Sequence, residues 1–269
     1  TSCASPAGPN GNNGSAGPEE GAAGGLHRTV SKQQAPPGPP DLMTLQEVAL
    51  HLAAARAKYQ QNTDLPDEAV CRLMLMTRMA GLPLNRCRVD KSSLPGAGNG
   101  LFATRLINAG ELISLYPTDA LLVWEDASHS VESNIQIFFS KHIPPADRNV
   151  ARTVTEWRGY EVPCNELVSI VGDPQLCHDL AYAAHLANDG AICSAPEGRE
   201  EYERESAARA NAEFIPLEVE EVDTNGFPMV LHFAARATKP IQPHQEILVT
   251  YGVGYWELNA AGLFNFPAS

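Results

Sequence analysis

No run of apolar residues in this chain approaches the roughly 20 positions a helix needs to cross a bilayer, so a membrane-spanning protein is not expected. Basic residues are also in short supply. Nineteen Lys and Arg stand against 32 Asp and Glu, for a formal charge of −13. A phosphate backbone is gripped by a positive face, so direct nucleic-acid binding is not expected either. The same balance suits a basic partner, and it equally serves solubility alone. The six cysteines, Cys3, Cys71, Cys87, Cys164, Cys177 and Cys193, form no Cys-x-x-Cys pair. Structural metal sites need tight ligand spacing, so no metal is expected, and a disulfide scaffold does not fit this length and cysteine density. Reduced thiols point to an intracellular setting, nucleus or cytoplasm. Organelle targeting stays open, because the first residue is threonine rather than methionine. Three catalytic signatures are missing: there is no G-x-S-x-G, no H-E-x-x-H and no phosphate-binding loop. The adjacent carboxylates Glu200-Glu201 and Glu220-Glu221 would point apart on a helix or a strand, and read as surface.

What is present changes in texture along the chain. Residues 1–40 hold 8 Gly and 7 Pro with almost no large apolar side chains, too little to offset the entropy of ordering, and read as a disordered tail. Residues 41–85 read as a helical cap. Asp41 or Thr44 opens its first helix, Thr44 to Glu47 has the capping-box spacing, and Leu45, Ala49, Leu52 and Tyr59 recur on one face. Asp64 and Pro66 open a second helix that stops near Gly81-Leu-Pro83, with Met74, Met76 and Met79 as core filler. From residue 86 the pattern becomes short strands between Gly, Pro, Asn and Asp. Strands are expected over 111–116, 167–171, 213–222, 229–237 and 246–251, and the segment 135–139 reads as strand or helix. Helices are expected over 175–187 and, with a solvated charged face, 197–209. Residues 259–269 form a short tail. The fold class is mostly β with helical additions.

Two segments near opposite ends of this β region carry the chemistry. Gly96-Ala-Gly-Asn-Gly-Leu-Phe-Ala-Thr-Arg105 is a glycine turn feeding a strand, followed by an Ala-Gly-Glu turn and a second strand ending at Tyr116. Glu246-Ile-Leu-Val-Thr-Tyr-Gly252 is a strand that runs out on a tyrosine and a glycine. Between them lie His185-Leu-Ala-Asn-Asp-Gly190 and Asn211-Ala-Glu-Phe214. In this order the four blocks resemble the SET domain of protein-lysine methyltransferases, over about residues 86 to 258. Each block alone has a plainer reading: a hairpin turn, a helix exit, a strand end.

The resemblance implies a β-clip-like fold of short strands, a methyl donor and a lysine channel. Ala97, Gly98, Asn99 and Gly100 match the turn that meets S-adenosylmethionine, with Gly98 and Gly100 allowing close backbone approach. Asn188 matches the asparagine that holds the cofactor's amine and carboxylate, with His185 and Asp189 beside it; for His185 a helix cap or a buried, satisfied side chain is the alternative to a cofactor contact. Tyr251 matches the active-site tyrosine, and Tyr116 a second channel tyrosine. Phe214, Tyr255 and Trp256 are assigned to the substrate channel, with packing on the adenine ring an alternative for Tyr255 and Trp256. The implied substrate is a basic, lysine-containing protein segment, for which a histone tail is one candidate.

The chain also departs from the pattern. Asp189 stands where histidine is usual. Twenty residues separate Gly190 from Asn211, where the family closes within a few, and no cysteine cluster follows Tyr251. These departures leave a second reading in play, a degenerate SET domain that only binds protein partners.

Overall fold

The computed structural model describes residues 45–62, 67–79, 82–125, 135–165, 167–193, 198–218 and 230–260. The expected tail over 1–40, the caps Asp41 and Thr44, Glu220-Glu221 and residues 261–269 lie outside the described residues. Two helices, α1 (Leu45–Asn62) and α2 (Asp67–Leu75), precede the strands. The second ends earlier than its apolar spacing predicts. Beyond it tertiary bonds hold the chain: the Met79 N–H donates to the Tyr182 hydroxyl at 2.8 Å, and the Arg78 side chain reaches Asp119.

Eleven strands among the described residues build three small sheets. They are β1 (Cys87–Lys91), β2 (Asn99–Ala103), β3 (Leu112–Leu115), β4 (Ala120–Trp124), β5 (Ile135–Phe139), β6 (Glu161–Pro163), β7 (Val168–Val171), β8 (Asn188–Asp189), β9 (Ala212–Glu218), β10 (Val230–Ala237) and β11 (Glu246–Val249). The sheet orders are β1-β2-β11-β8, β3-β10-β9 and β5-β4-β7-β6. The ambiguous segment 135–139 is therefore a strand, paired antiparallel to β4. The first sheet matters most. β2 pairs with both β1 and β11, and β8 runs parallel to β11 with Leu248 beside Asn188 and Val249 beside Asp189. That register brings three distant stretches, near 99, 188 and 251, to one end of one sheet.

The main core joins the sheets to α2. Val70, Met74 and Leu75 pack in one cluster with Leu101, Ile107, Leu112, Ile113, Leu121, Ile170, Ala234 and Ile247. A second cluster gathers Trp124, Trp157, Ile143 and Val171. Between the third sheet's strands, α3 (Val150–Arg152) widens into a π-helical turn over Thr153–Trp157, then a 3-10 turn over Arg158–Tyr160.

The helix expected over 175–187 is not formed. Two 3-10 turns, Leu180–Tyr182 and Ala184–Leu186, take its place. Ser114 explains the break: its hydroxyl donates to the Leu180 carbonyl at 2.9 Å and accepts the Ala183 N–H at 2.8 Å, groups a helix would have used internally. Residues 181–187 are buried without a break rather than on one stripe, so helical periodicity was a poor guide. The charged stretch does form a helix, α4 (Arg199–Arg209), though Tyr202 and Ser206 on it are buried. A further helix not expected from the sequence, α5 (Val253–Ala260), carries Tyr255 and Trp256.

Candidate active site

The glycine turn owes its shape to two left-handed backbones, Gly96 at φ +75° and Gly98 at φ +69°, which a β-carbon would strain. The Ser92 N–H closes the loop on the Gly98 carbonyl at 2.9 Å. Its base is a buried carboxylate, Glu246, at the start of β11. Glu246 accepts from the Ser92 hydroxyl at 2.6 Å, from the Ser93 N–H at 2.9 Å, and from the Ser93 hydroxyl. The Asn188 side-chain amide donates to the Asn99 carbonyl at 3.0 Å and to Glu246 Oε1 at 3.2 Å. Gly100 belongs to this base. A β-carbon there would sit 2.3 Å from Glu246 Oε1 and 3.0 Å from Asn188 Nδ2. Its glycine makes room for protein side chains behind the turn, which corrects the expectation that it faces a ligand.

In front of the turn lies a cleft of about 610 Å³. The turn from Leu94 to Asn99 forms one wall. Tyr160, Leu186, Asn188 and Asp189 form another, and Tyr251, Tyr255 and Trp256 close the end. A smaller chamber of about 190 Å³ is lined by Tyr116, Glu161, His185, Phe214 and Tyr251, among others. Gly159, Tyr251 and Tyr255 border both spaces, so the two share a wall.

Of the residues singled out from the sequence, Ala97, Gly98, Asn99, Asn188, Asp189 and Tyr251 line the larger space. Tyr116, Phe214 and Tyr251 line the smaller, and Tyr255 lines both. Two others sit elsewhere than expected. His185, grouped with the cofactor turn, lines the chamber instead. It is buried, its Nε2–H donates to the Asp173 carbonyl at 3.1 Å, and its ring packs edge-on to Tyr116 and Tyr160. Trp256, expected in the substrate channel, lines the larger cleft and not the chamber, because α5 turns its indole N–H onto Asp189 at 3.0 Å.

The chamber's phenols are acids held in place. The Tyr251 hydroxyl donates to the Ala187 carbonyl at 2.9 Å, Tyr116 to the Tyr160 carbonyl at 2.7 Å, and Tyr255 to the Gly159 carbonyl at 3.3 Å. Burial drives the pKa of Tyr251 and Tyr116 far above the ordinary value, and the neighbouring hydroxyls push the same way. Tyr255 is raised as well, first by burial. All three stay neutral across the physiological range. Burial also lowers the His185 pKa to about 4, so this imidazole is neutral too.

Asp189 borders the cleft, but it is almost fully buried and its carboxylate is taken up by protein donors. Its Oδ2 accepts from the Tyr202 hydroxyl at 2.6 Å, the Tyr251 N–H at 3.0 Å and the Trp256 indole. Its Oδ1 accepts from the Ser206 hydroxyl at 2.6 Å and the Ala191 N–H at 3.1 Å. Asn211 plays a comparable part on β11, bonding the Glu246 carbonyl and the Leu248 N–H at 2.9 Å each.

Sequence reasoning missed Glu246 as a side chain, the Gly159–Glu161 wall, and Tyr202 with Ser206. The last pair had a signal, two uncharged residues at i and i+4 inside a charged helix. The 159–161 wall had none, since it arrives through the irregular turns after α3.

A family model for the SET domain matches residues 98–252, more than half of the 269 residues, and the chain belongs to the SET-domain family. The mostly β fold with added helices agrees with that membership. Among solved structures, one from Plasmodium falciparum, provisionally described as a histone methyltransferase, aligns with 64% of this chain and 96% of its own. The identity is 17% and the TM-score 0.30. No curated protein sequence matches the chain.

Proposed function

We propose that this SET-domain protein is an S-adenosylmethionine-dependent protein-lysine methyltransferase. The observation that carries the reading is the shared wall. A roomy cleft at the glycine turn abuts a narrow aromatic chamber, and Tyr251 borders both. Its volume of about 610 Å³ lies within the usual range of small-molecule sites. The donor set fits the methyl donor: main chain from Gly96 to Asn99 for its amino-acid end, the Asn188 amide, which donates and accepts at once, and Tyr160, Tyr255 and Trp256 as aromatic surface. When bound, S-adenosylmethionine supplies an electrophilic methyl group on a sulfonium.

The chain's own residues then have defined work. The amine of a lysine side chain must be neutral and aligned at about 3–3.5 Å for an in-line displacement. Tyr116, Phe214, Tyr251 and Tyr255 give the chamber an aromatic lining, and desolvation there favours the neutral amine over the ammonium. Tyr251, kept protonated, orients by hydrogen bonding and does not abstract a proton. Glu161 adds a carboxylate to the chamber wall, and the net charge of −13 favours approach of a basic segment such as a histone tail. An intracellular setting, nuclear or cytoplasmic, is the one in which such a substrate would be met.

Calorimetry with S-adenosylmethionine tests the cofactor, and mass spectrometry of core histones and a whole-lysate panel tests the transfer. Micromolar binding and methylated lysine are expected. Tyr251→Phe should keep binding within a few-fold and cut turnover on the order of 100-fold. No cofactor binding would end the reading. Binding without any methylated product across the panel would favour a SET domain that acts only by engaging protein partners.

A further inference from the structure

The insertion between Gly190 and Asn211 is the largest departure of this chain from the SET pattern, and it lands on the active-site strand end. Helix α4 within it is charged and exposed over most of its surface, yet Tyr202 and Ser206 point inward and are buried. Three consecutive residues after β11 are held from this side. The Ser206 hydroxyl bonds Thr250 Oγ1 at 2.9 Å, the Asp189 carboxylate accepts the Tyr251 N–H at 3.0 Å, and the Tyr202 hydroxyl accepts the Gly252 N–H at 3.0 Å. The same carboxylate takes the Trp256 indole, and both α4 hydroxyls donate to it at 2.6 Å.

We propose that Asp189 and α4 together form a positioning device for Tyr251 and Trp256, in which the inserted helix supplies two hydroxyls that lock a carboxylate standing where the family has histidine. The consequence for catalysis rests on the methyltransferase reading of the same site. Tyr251 is then fixed at two points, its N–H by Asp189 and its hydroxyl by the Ala187 carbonyl, both from one short segment. Trp256 is fixed at the end of the larger cleft, its ring stacked at 25° to that of Tyr251. The helix is firmly docked. Arg209 donates to the Gly190 carbonyl at 3.1 Å, and Lys239 donates to the Ala207 and Ala208 carbonyls at 3.3 Å each. A β-carbon on Gly190 would lie 2.8 Å from the Arg209 Cβ, so the approach of α4 depends on that glycine. Five donors on two buried oxygens also exceed what an asparagine could satisfy, since one of its positions is itself a donor.

The test uses the full chain labelled with 15N, as wild type, Asp189→Asn, Tyr202→Phe and Ser206→Ala. Trp124, Trp157 and Trp256 give three indole signals, and Trp256→Phe assigns the one of interest. Amide exchange is followed at Tyr251 and Gly252, with Leu101 and Ile247 as core references for global stability. The expected result is exchange at Tyr251 and Gly252 accelerated on the order of tenfold relative to the references, with a displaced Trp256 indole signal. S-adenosylmethionine affinity should weaken by about threefold to tenfold, although Tyr202 and Ser206 do not line the cleft. Parallel acceleration of all amides would reduce the network to fold stability and overturn the proposal. So would a Trp256 signal unmoved in Asp189→Asn, or unchanged cofactor affinity where that signal has moved. Should the wild type bind no S-adenosylmethionine, the methyltransferase reading falls, while exchange and indole signals still decide whether α4 positions the two aromatics.

Discussion

At the scale of single residues, glycine, tyrosine and aspartate each stand in for a different physical demand. Gly96 and Gly98 satisfy backbone conformation, whereas Gly100 satisfies packing, and nothing in the sequence separates the two kinds. Gly100→Ala should therefore act through Glu246 and Asn188. The added methyl would force the carboxylate off Ser92 and Ser93 and loosen the turn. A loss of about 2–3 kcal/mol is expected in urea denaturation, with cofactor affinity falling in step. Gly98→Ala would instead strain φ and cost about 1 kcal/mol, so the ranking of the two variants checks the assignment. Tyr251, Asn188 and the turn from Ala97 to Asn99 were legible in the sequence because each sits in a motif of fixed local geometry. The places of His185 and Trp256 were left open between alternatives, because the motif shows proximity in the chain and not the direction of a ring.

At the scale of elements, the helices are tied to the sheets by buried charge. Asp119, at the entrance to β4, is buried. One oxygen accepts from Arg78 just beyond α2, at 3.0 Å, and from His142. The other accepts the Asp173 N–H at 2.7 Å. Burial alone would raise the carboxyl pKa, but His142, Arg78 and the Asp173 N–H together leave it lowered. Arg78 also reaches Asp179 at 3.3 Å and lies over the Tyr182 ring, so one side chain clamps three segments. Arg78→Ala leaves a buried carboxylate with less compensation and should cost about 2–4 kcal/mol by urea denaturation, with Arg78→Lys between it and wild type. Helix α1, the charged α4 and strands β2, β3, β7, β9, β10 and β11 were readable from capping spacing, charge alternation and short apolar runs between turn residues. The 3-10 turns over 180–186 were not, since the deciding bond comes from Ser114 on a strand 66 residues away in the chain.

At the scale of the whole molecule, the titration of buried groups sets how the fold responds to acid. His185 and His232 are both buried, and desolvation, the leading cause for each, lowers both pKa values from 6.5 to about 4. For His185 the nearby Asp119 charge opposes that shift and Arg78 reinforces it; for His232 a backbone bond to Thr77 opposes it. In the unfolded chain each imidazole binds a proton near its ordinary pKa, while in the fold it does not until about pH 4. The unfolded state therefore holds more protons between those values. Stability is fully present above pH 6.5 and is lost as pH falls toward 4, by about 2 kcal/mol per histidine at pH 5. Urea midpoints at pH 8, 6.5 and 5 check this. His232→Phe should flatten the profile by about half, whatever it does to stability at pH 8.

The amino-acid sequence by itself determined the family, the mostly β class and the identity of the turn, the asparagine and the tyrosine that meet at the cleft. Those follow from short-range spacing, which local geometry makes legible. The tertiary structure alone decided which side of the turn each glycine serves, that the Asp189 carboxylate is taken up by protein donors, and that a charged helix from an insertion reaches the residues on either side of Tyr251. These depend on which distant groups satisfy a buried carboxylate. That is settled by desolvation across the assembled core, where hydrogen-bond partners such as Tyr202 and Trp256 are chosen by three-dimensional proximity rather than by place in the chain.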